Sequence, residues 1–272
     1  MTLSNRARIA ITALASVVLV LIYAPLLLVL INSFNASKVF SWPPTQLTTR
    51  WWHLALTNIG VREALFTSIK AASAATALAL VLGTLAAVAV SRYRFFGRQT
   101  VNLLLVLPIA LPGIVTGMAL NSAFSIVLRP LGIEFGLFTV ILGHTTFCIV
   151  VVFNNVLARM RRLQGSLAEA SADLGADPLT TARLVTFPLL RSALVAGAVL
   201  AFGLSFDEIV VTTFTAGPGI QTLPQWVFNN LFRPNQGPIV NAVAAVMLLI
   251  SVLPIWLATK LSGDPGTASG RM

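Results

Sequence analysis

Long apolar runs alternate with shorter polar stretches along this chain. The runs cover 9–31, 65–90, 101–128, 136–157, 190–215 and 239–259. About 20 apolar residues are enough for an α-helix to cross the hydrocarbon core of a bilayer. We therefore predict an all-α membrane protein with six transmembrane helices, which form one membrane domain over 1–262 and leave a disordered tail over 263–272. An even number of crossings places both termini on the same side of the membrane.

Composition supports this interpretation and sets the orientation. Hydrophobic residues make up 57% of the chain and charged residues only 10%, whereas about 25% of residues are charged in soluble domains. The net charge of +10 would suit a nucleic-acid-binding protein, but the cations lie at the ends of the apolar runs, so no nucleic acid is expected as a partner. Cytoplasmic loops carry an excess of Lys and Arg, so we expect a bacterial inner-membrane protein with cytoplasmic termini. Twelve of the 18 cations fall on that side: Arg6, Arg8, Arg92, Arg94, Arg98, Arg159, Arg161, Arg162, Arg183, Arg191, Lys260 and Arg271.

Small residues recur at every fourth position of the second apolar run. They are Ala71, Ala75, Ala79, Gly83 and Ala87. On a helix this spacing makes a nearly flat ridge, where the backbone of a neighbouring helix can approach closely. The pattern predicts a packing face.

Prolines interrupt the third apolar run. Pro108 and Pro112 stand four residues apart and are followed by Gly113 and Gly117. Each proline removes a backbone hydrogen bond, so the helix must bend or open there. Such a break lines the pathway in some transporters and only improves packing in other proteins, and the sequence leaves both interpretations open.

The longest inner loop lies between the fourth and fifth runs and predicts a helix-turn-helix. Ser166 and Glu169 have the spacing of a capping box, which starts a helix. Gly175 suits the left-handed position that ends it. Asp177 and Pro178 are an N-cap and a first-turn proline for a second helix. Two short helices joined by a sharp turn are therefore expected.

This inner loop, 158–189, resembles a known motif. The matching residues are Glu169-Ala170-Ser171, Gly175 and Val185-Thr186-Phe187-Pro188. In this order and spacing they resemble the EAA loop of the permeases of ATP-binding-cassette (ABC) importers. The resemblance implies the ABC importer permease fold, with a cytoplasmic coupling helix seated on an ATP-hydrolysing subunit. The residues that it assigns to this contact are Glu169, Ala170, Asp173, Gly175 and Pro188.

The same resemblance implies several partners. They are two copies of a cytoplasmic ABC ATPase, a homologous permease subunit that forms a heterodimer with this chain, and an extracytoplasmic substrate-binding protein. The sequence has no Gly-x-x-x-x-Gly-Lys-Ser/Thr phosphate-binding loop, so ATP and Mg are expected on the ATPase and no cofactor on this chain. With only His53, His144 and Cys148 as histidines and cysteine, neither a catalytic group nor a metal site is predicted. His144 is expected to hydrogen-bond between helices.

Two adjacent acidic residues, Asp207 and Glu208, lie well inside the fifth apolar run. A charge at the bilayer centre costs roughly 2.5–3.5 kcal/mol, so an aqueous cavity is expected around them. Neighbouring helical positions diverge by about 100°, so one carboxylate is expected in the path and the other at a neighbouring subunit or a helix end. Carboxylates favour organic cations, to which Trp51 or Trp52 would add cation-π attraction. The alternative is an ion pair with the companion permease.

A second resemblance concerns the cargo. The segments are Ser205-Phe-Asp-Glu-Ile-Val-Val-Thr, Gly217-Pro-Gly, Thr222-Leu-Pro and Val240-Asn-Ala. They resemble the second permease subunit of spermidine/putrescine importers, which implies a substrate pathway through Trp51, Ser205, Asp207 and Glu208. Permeases for opines, other organic amines or ferric iron share much of the pattern. A proton-coupled secondary transporter is a further alternative, although it leaves the inner loop without a use.

Overall fold

The computed structural model describes residues 4–38, 42–44, 46–163 and 166–262, with the side chains at 106, 109, 110, 168 and 252–262 left out of the description. The predicted disordered tail over 263–272 lies outside this part of the chain. Every regular element within it is helical. The helices are α1 Asn5–Asn32, α2 Arg50–Thr57, α3 Ile59–Arg92, α4 Arg98–Ala110, α5 Gly113–Val127, α6 Leu137–Met160, α7 Ser166–Asp173, α8 Pro178–Thr181, α9 Phe187–Phe206, α10 Val210–Thr215, α11 Leu223–Leu231 and α12 Gly237–Ser262.

Six segments form the membrane-spanning architecture, which confirms the predicted fold class. Five are long and apolar enough to cross a bilayer: Asn5–Asn32, Ile59–Arg92, Gly113–Leu131, Leu137–Met160 and Pro178–Phe206. The apolar helix α12 is the sixth. The fifth segment is one continuous rod, because α8, a π-helical segment and α9 follow each other without a loop.

The chain divides into two compact units. The first consists of 1–62 and 226–250, and the second of 63–225 and 251–272. Two short helices were not predicted, because each lies between apolar runs. The helix α2 follows the first run, and the helix α11 follows the fifth.

The core of the second unit is built where α3, α6 and α9 pack together. The side chains of Ala79, Ala87 and Phe153 are fully buried there. A Cβ atom added at Gly83 would lie only 2.9 Å from the backbone oxygen of Ile149 on α6. This close approach confirms the small-residue ridge as a packing face. Van der Waals contact between such surfaces holds membrane helices together, since lipid tails compete for apolar side chains.

Two predicted helices are interrupted in the structure. The run over 101–128 forms α4 and α5, which are separated at Leu111, whose backbone is extended (φ −82°, ψ 145°) as expected for a residue before proline. This confirms the predicted opening near Pro112. The run over 190–215 was predicted to form one helix. This prediction is wrong, because α9 ends at Phe206 and α10 begins at Val210.

Candidate functional site

The inner loop forms a helix-turn-helix over 166–181, which we name the coupling elbow. The helix α7 begins at Ser166, so this residue is the first helical position rather than the cap. At its end, the N–H of Gly175 donates to the carbonyl oxygen of Ala172 at 2.8 Å and that of Ala176 to Ser171 at 3.1 Å. These two bonds form a Schellman motif, which needs a left-handed residue. Gly175 supplies it with φ +82°.

The second half of the coupling elbow begins with a side-chain cap. Asp177 accepts a hydrogen bond from the backbone N–H of Thr180 at 2.7 Å, and Pro178 is the first residue of α8. Hydrogen bonds from the side chain and backbone of Thr180 hold the pKa of Asp177 below its ordinary value. The carboxylate is therefore the form that caps α8, and the predicted turn chemistry is confirmed.

A polar contact ties the two arms of the elbow together. The hydroxyl groups of Ser171 on α7 and Thr181 at the end of α8 lie 2.9 Å apart. Thr181 is buried at 5% exposure, so water competes little for this bond. With the Schellman motif and the Asp177 cap, it fixes the angle between the arms.

The exposed residues of the elbow are both apolar and acidic. Leu174 and Leu179 are 90% and 76% exposed. The predicted coupling residues Glu169, Ala170, Asp173 and Gly175 are also exposed on the elbow.

The fifth predicted coupling residue, Pro188, lies apart from the elbow, in the first turn of α9. It follows the π-helical segment Ala182–Thr186, where the N–H of Phe187 donates to the carbonyl oxygen of Ala182, five residues back. A proline cannot donate to the residue four positions earlier and crowds its carbonyl group. The wider π-turn accommodates this defect without breaking the rod.

The rod that starts at the elbow is attached to two other spanning helices. A guanidinium nitrogen of Arg92, at the end of α3, donates to the hydroxyl oxygen of Thr186 at 2.7 Å. The Nε of Arg159, at the end of α6, donates to the carbonyl oxygen of Leu189 at 3.1 Å. The continuous helix Pro178–Phe206 has 29 residues and is about 43 Å long at 1.5 Å per residue. The second arm of the elbow is thus the first turn of the fifth span.

The rod ends at a break over 207–209, between α9 and α10. At this break Asp207 and Glu208 have different environments. The N–H of Asp207 makes the last helical bond, to the carbonyl oxygen of Gly203 at 3.1 Å. Glu208 turns back, and its Oε1 accepts from the N–H of Val211 at 2.8 Å. Glu208 therefore caps α10. Asp207 is exposed, and its carboxylate has no partner among the described residues.

A buried histidine bridges this break, as expected for an interhelical hydrogen bonder. His144 on α6 is fully buried. Its Nδ1 lies 2.7 Å from the hydroxyl oxygen of Ser205 on α9, and its Nε2 lies 2.9 Å from that of Thr212 on α10. Ser205, assigned to the substrate pathway by resemblance, is thus buried at 2% exposure and engaged in this contact.

The helix α10 is also anchored to α5 and α6. Asn121 Nδ2 donates to the carbonyl oxygen of Phe214 at 2.6 Å, and Thr139 Oγ1 donates to that of Thr215 at 2.7 Å. A Cβ atom added at Gly117 would clash with the ring of Phe214 at 2.5 Å. Sequence reasoning missed these anchors, although polar residues inside apolar spans are the available signal.

The side chain of Trp51 is held in the first unit by contacts with its own chain. Its indole N–H donates to the carbonyl oxygen of Asn35 at 2.8 Å, and the side chain is only 6% exposed. The guanidinium group of Arg50 lies 5.6 Å from the centre of its ring. One face of the indole is therefore already occupied by a cation of the same chain.

Several helices long and apolar enough to span a membrane, with a helix-turn-helix before the last part of the fifth span, are typical of a transport permease. The family model for the "binding-protein-dependent transport system inner membrane component" matches residues 79–263. This range is more than half of the chain, and it includes the coupling elbow and the break. The chain belongs to this family of transport permeases.

Relatives and solved structures agree with this assignment. The chain is 36% identical to the putrescine transport system permease protein PotI of Escherichia coli (strain K12), over 84% of this chain and 81% of that protein. It is 32% identical to the spermidine/putrescine transport system permease protein PotC of Shigella flexneri, over 92% of each. A bacterial ABC transporter involved in the import of the acidic polysaccharide alginate shares the fold with a TM-score of 0.70 and 16% identity, over 96% of this chain and 98% of that one.

Proposed function

We propose that this chain is the permease subunit of an ABC importer for polyamines such as putrescine and spermidine. Its partners are two copies of a cytoplasmic ATPase that binds ATP and Mg, a homologous permease subunit, and an extracytoplasmic substrate-binding protein. The termini and the coupling elbow face the cytoplasm. The names and identities of the relatives support the cargo class, and the elbow supports the ATPase contact.

The elbow has the properties that force transmission requires. Its exposed leucines, Leu174 and Leu179, suit an apolar groove on the ATPase, and Glu169 and Asp173 flank them with negative charge. Because both arms are fixed by internal hydrogen bonds, closure of the ATPase pair moves the elbow as a rigid body. The rod passes this motion to the break at Asp207. Nucleotide binding thereby turns the cavity outward, and hydrolysis resets it.

Cargo recognition is assigned to Asp207. An ammonium group on a carboxylate makes a charge-assisted hydrogen bond, which is stronger than a neutral one. Asp207 is exposed and has no partner within the described residues, whereas Glu208 is engaged as a helix cap. Resemblance assigns Trp51 and Ser205 to the substrate pathway, but both are buried and hydrogen-bonded within the chain. We therefore propose that they hold the backbone near the pathway rather than contact cargo.

The single observation that carries this proposal is the free carboxylate of Asp207 at a helix break, in a chain that is 32–36% identical to polyamine permeases. The test is ATP hydrolysis by the complete complex in nanodiscs, with putrescine-loaded binding protein as the stimulus. We expect putrescine to raise hydrolysis above the rate with unloaded binding protein. Stimulation by ferric iron or an opine but not by putrescine would overturn the cargo assignment. Uptake by this chain alone, driven by a proton gradient and indifferent to ATP, would overturn the importer assignment in favour of a secondary transporter.

A further inference from the structure

The hydrogen bonds around His144 define its tautomer. Thr212 Oγ1 donates to the carbonyl oxygen of Glu208 at 2.9 Å. Having used its only hydrogen, this hydroxyl group must accept from Nε2–H of His144. The hydroxyl group of Ser205 has no other partner among the described residues, so it donates to Nδ1. The neutral Nε2–H tautomer therefore satisfies all three groups, and the opposite tautomer would leave a hydrogen of Ser205 unpaired.

The hydrogen bonds Ser205–His144–Thr212, which we name the relay, join two consecutive helices. The helix α9 is continuous with the coupling elbow. The helix α10 is fixed to α5 and α6 through Asn121 and Thr139. His144 contacts the last turn of α9 with one ring nitrogen and the first turn of α10 with the other. Asp207 lies between these two attachment points.

We infer that His144 is a positioning residue that sets the geometry of Asp207, by joining the last turn of α9 to the first turn of α10 across the break. The inference rests on the proposed function, because it takes Asp207 as part of the pathway. The break contains no glycine or proline; the Glu208 cap holds its α10 side, and the described side-chain contact that joins its two sides is the relay. A buried donor or acceptor that loses its partner is costly, which gives the joint one preferred geometry.

The test measures how readily a thiol at position 207 reacts with N-ethylmaleimide. The complete transporter in membrane vesicles carries Asp207→Cys together with Cys148→Ala, which removes the only native thiol of this chain. Adding His144→Phe keeps a ring in place but removes both hydrogen bonds. We expect labelling to become about two- to tenfold faster, because position 207 is already exposed and the loss of the relay gives the thiol more geometries in which the reagent can approach it.

Three further variants separate positioning from general loosening. His144→Gln supplies one acceptor and one donor and is expected to restore labelling to near the parental rate. Thr145→Val removes a neighbouring hydroxyl group that bonds only within α6, to Ile141, and is expected to leave labelling unchanged. A thiol introduced by Leu131→Cys, between α5 and α6 where the side chain is 71% exposed, reports global structure and is expected to react equally with either residue at 144.

Several outcomes would overturn the inference. They are a parental labelling rate in His144→Phe, a Gln variant no better than Phe, or an equal increase in Thr145→Val. If His144→Phe does not assemble, Ser205→Ala and Thr212→Val each remove one half of the relay, and a parental rate in both would equally overturn it. The assay uses no cargo. Failure of putrescine to stimulate ATP hydrolysis therefore refutes the proposed function separately from this inference.

Discussion

The coupling elbow and the Asp207 break are two interruptions at opposite ends of one rod, and they are stabilised in different ways. At the elbow, Gly175 and the Asp177 cap fix the turn with contacts between residues a few positions apart. At the break, the chain contains no Gly or Pro over 204–212; the Glu208 cap is local, but a histidine 61 positions away from Ser205 joins the two sides. A turn fixed by neighbouring residues is specified by its own segment. A turn joined by a distant side chain also depends on the packing of another helix.

The largest expected effect lies in the elbow. Gly175→Asp places a side chain where φ is +82°, at a strain of roughly 1–2 kcal/mol, and adds a negative charge at the C-terminal end of α7, which the helix dipole disfavours. We expect ATP-coupled uptake to be abolished while the chain still inserts in the membrane. Gly97→Asp is the matched control, because Gly97 has the same φ and equally open surroundings. Equal uptake in the two variants would contradict the coupling role.

The next effect concerns the break itself. Asp207→Asn removes the free carboxylate and is expected to lower uptake of putrescine about tenfold, as for the loss of one charge-assisted hydrogen bond. Assembly with the ATPase should be unchanged, since Asp207 is remote in sequence from the elbow. Glu208→Gln is the control, because its amide oxygen can still accept from Val211. Uptake assays in proteoliposomes compare the two, and an equal loss in both would refute the division of roles.

A smaller effect is expected from loosening the elbow without changing its turn. Thr181→Val removes the 2.9 Å contact with Ser171, which is worth about 1 kcal/mol. The number of ATP molecules hydrolysed per molecule imported should rise about two- to fivefold, because a more flexible elbow transmits less of the ATPase movement to the fifth span. Thr181→Ser retains the hydroxyl group and should behave as the parent. An unchanged ratio in Thr181→Val would show that the contact does not stiffen the elbow.

The smallest effect is a pH dependence of the α8 cap. The pKa of Asp177 is lowered in the folded protein from its ordinary value of 3.8 by the hydrogen bonds of Thr180. The stabilisation is therefore complete above the ordinary value and is lost as pH falls through the lowered value. Protection of the Thr180 amide against hydrogen exchange should decrease only in that acid range. Asp177→Asn keeps an acceptor that does not titrate, so a pH dependence persisting in this variant would contradict the assignment.

The parts of the site that depend on residues close in sequence could be predicted. The turn at Gly175, the cap at Asp177 and the packing ridge around Gly83 were predicted, since each depends on residues close in sequence. The roles of the two acids were left open as a choice between pathway and helix end. The structure distinguishes their environments, because Glu208 caps α10 and Asp207 does not.

The sequence by itself determined the membrane class, the spanning segments and the elbow. These follow from hydropathy over about 20 residues and from the backbone preferences of Gly, Asp and Pro, which act locally. Only the tertiary structure decided that the fifth apolar run breaks at Asp207. Side chains within the break satisfy two of its backbone groups, since Glu208 accepts from the N–H of Val211 and Thr212 donates to the carbonyl oxygen of Glu208. The contact that joins Ser205 to Thr212 comes from His144 on α6, and no property of residues 204–212 alone specifies that partner.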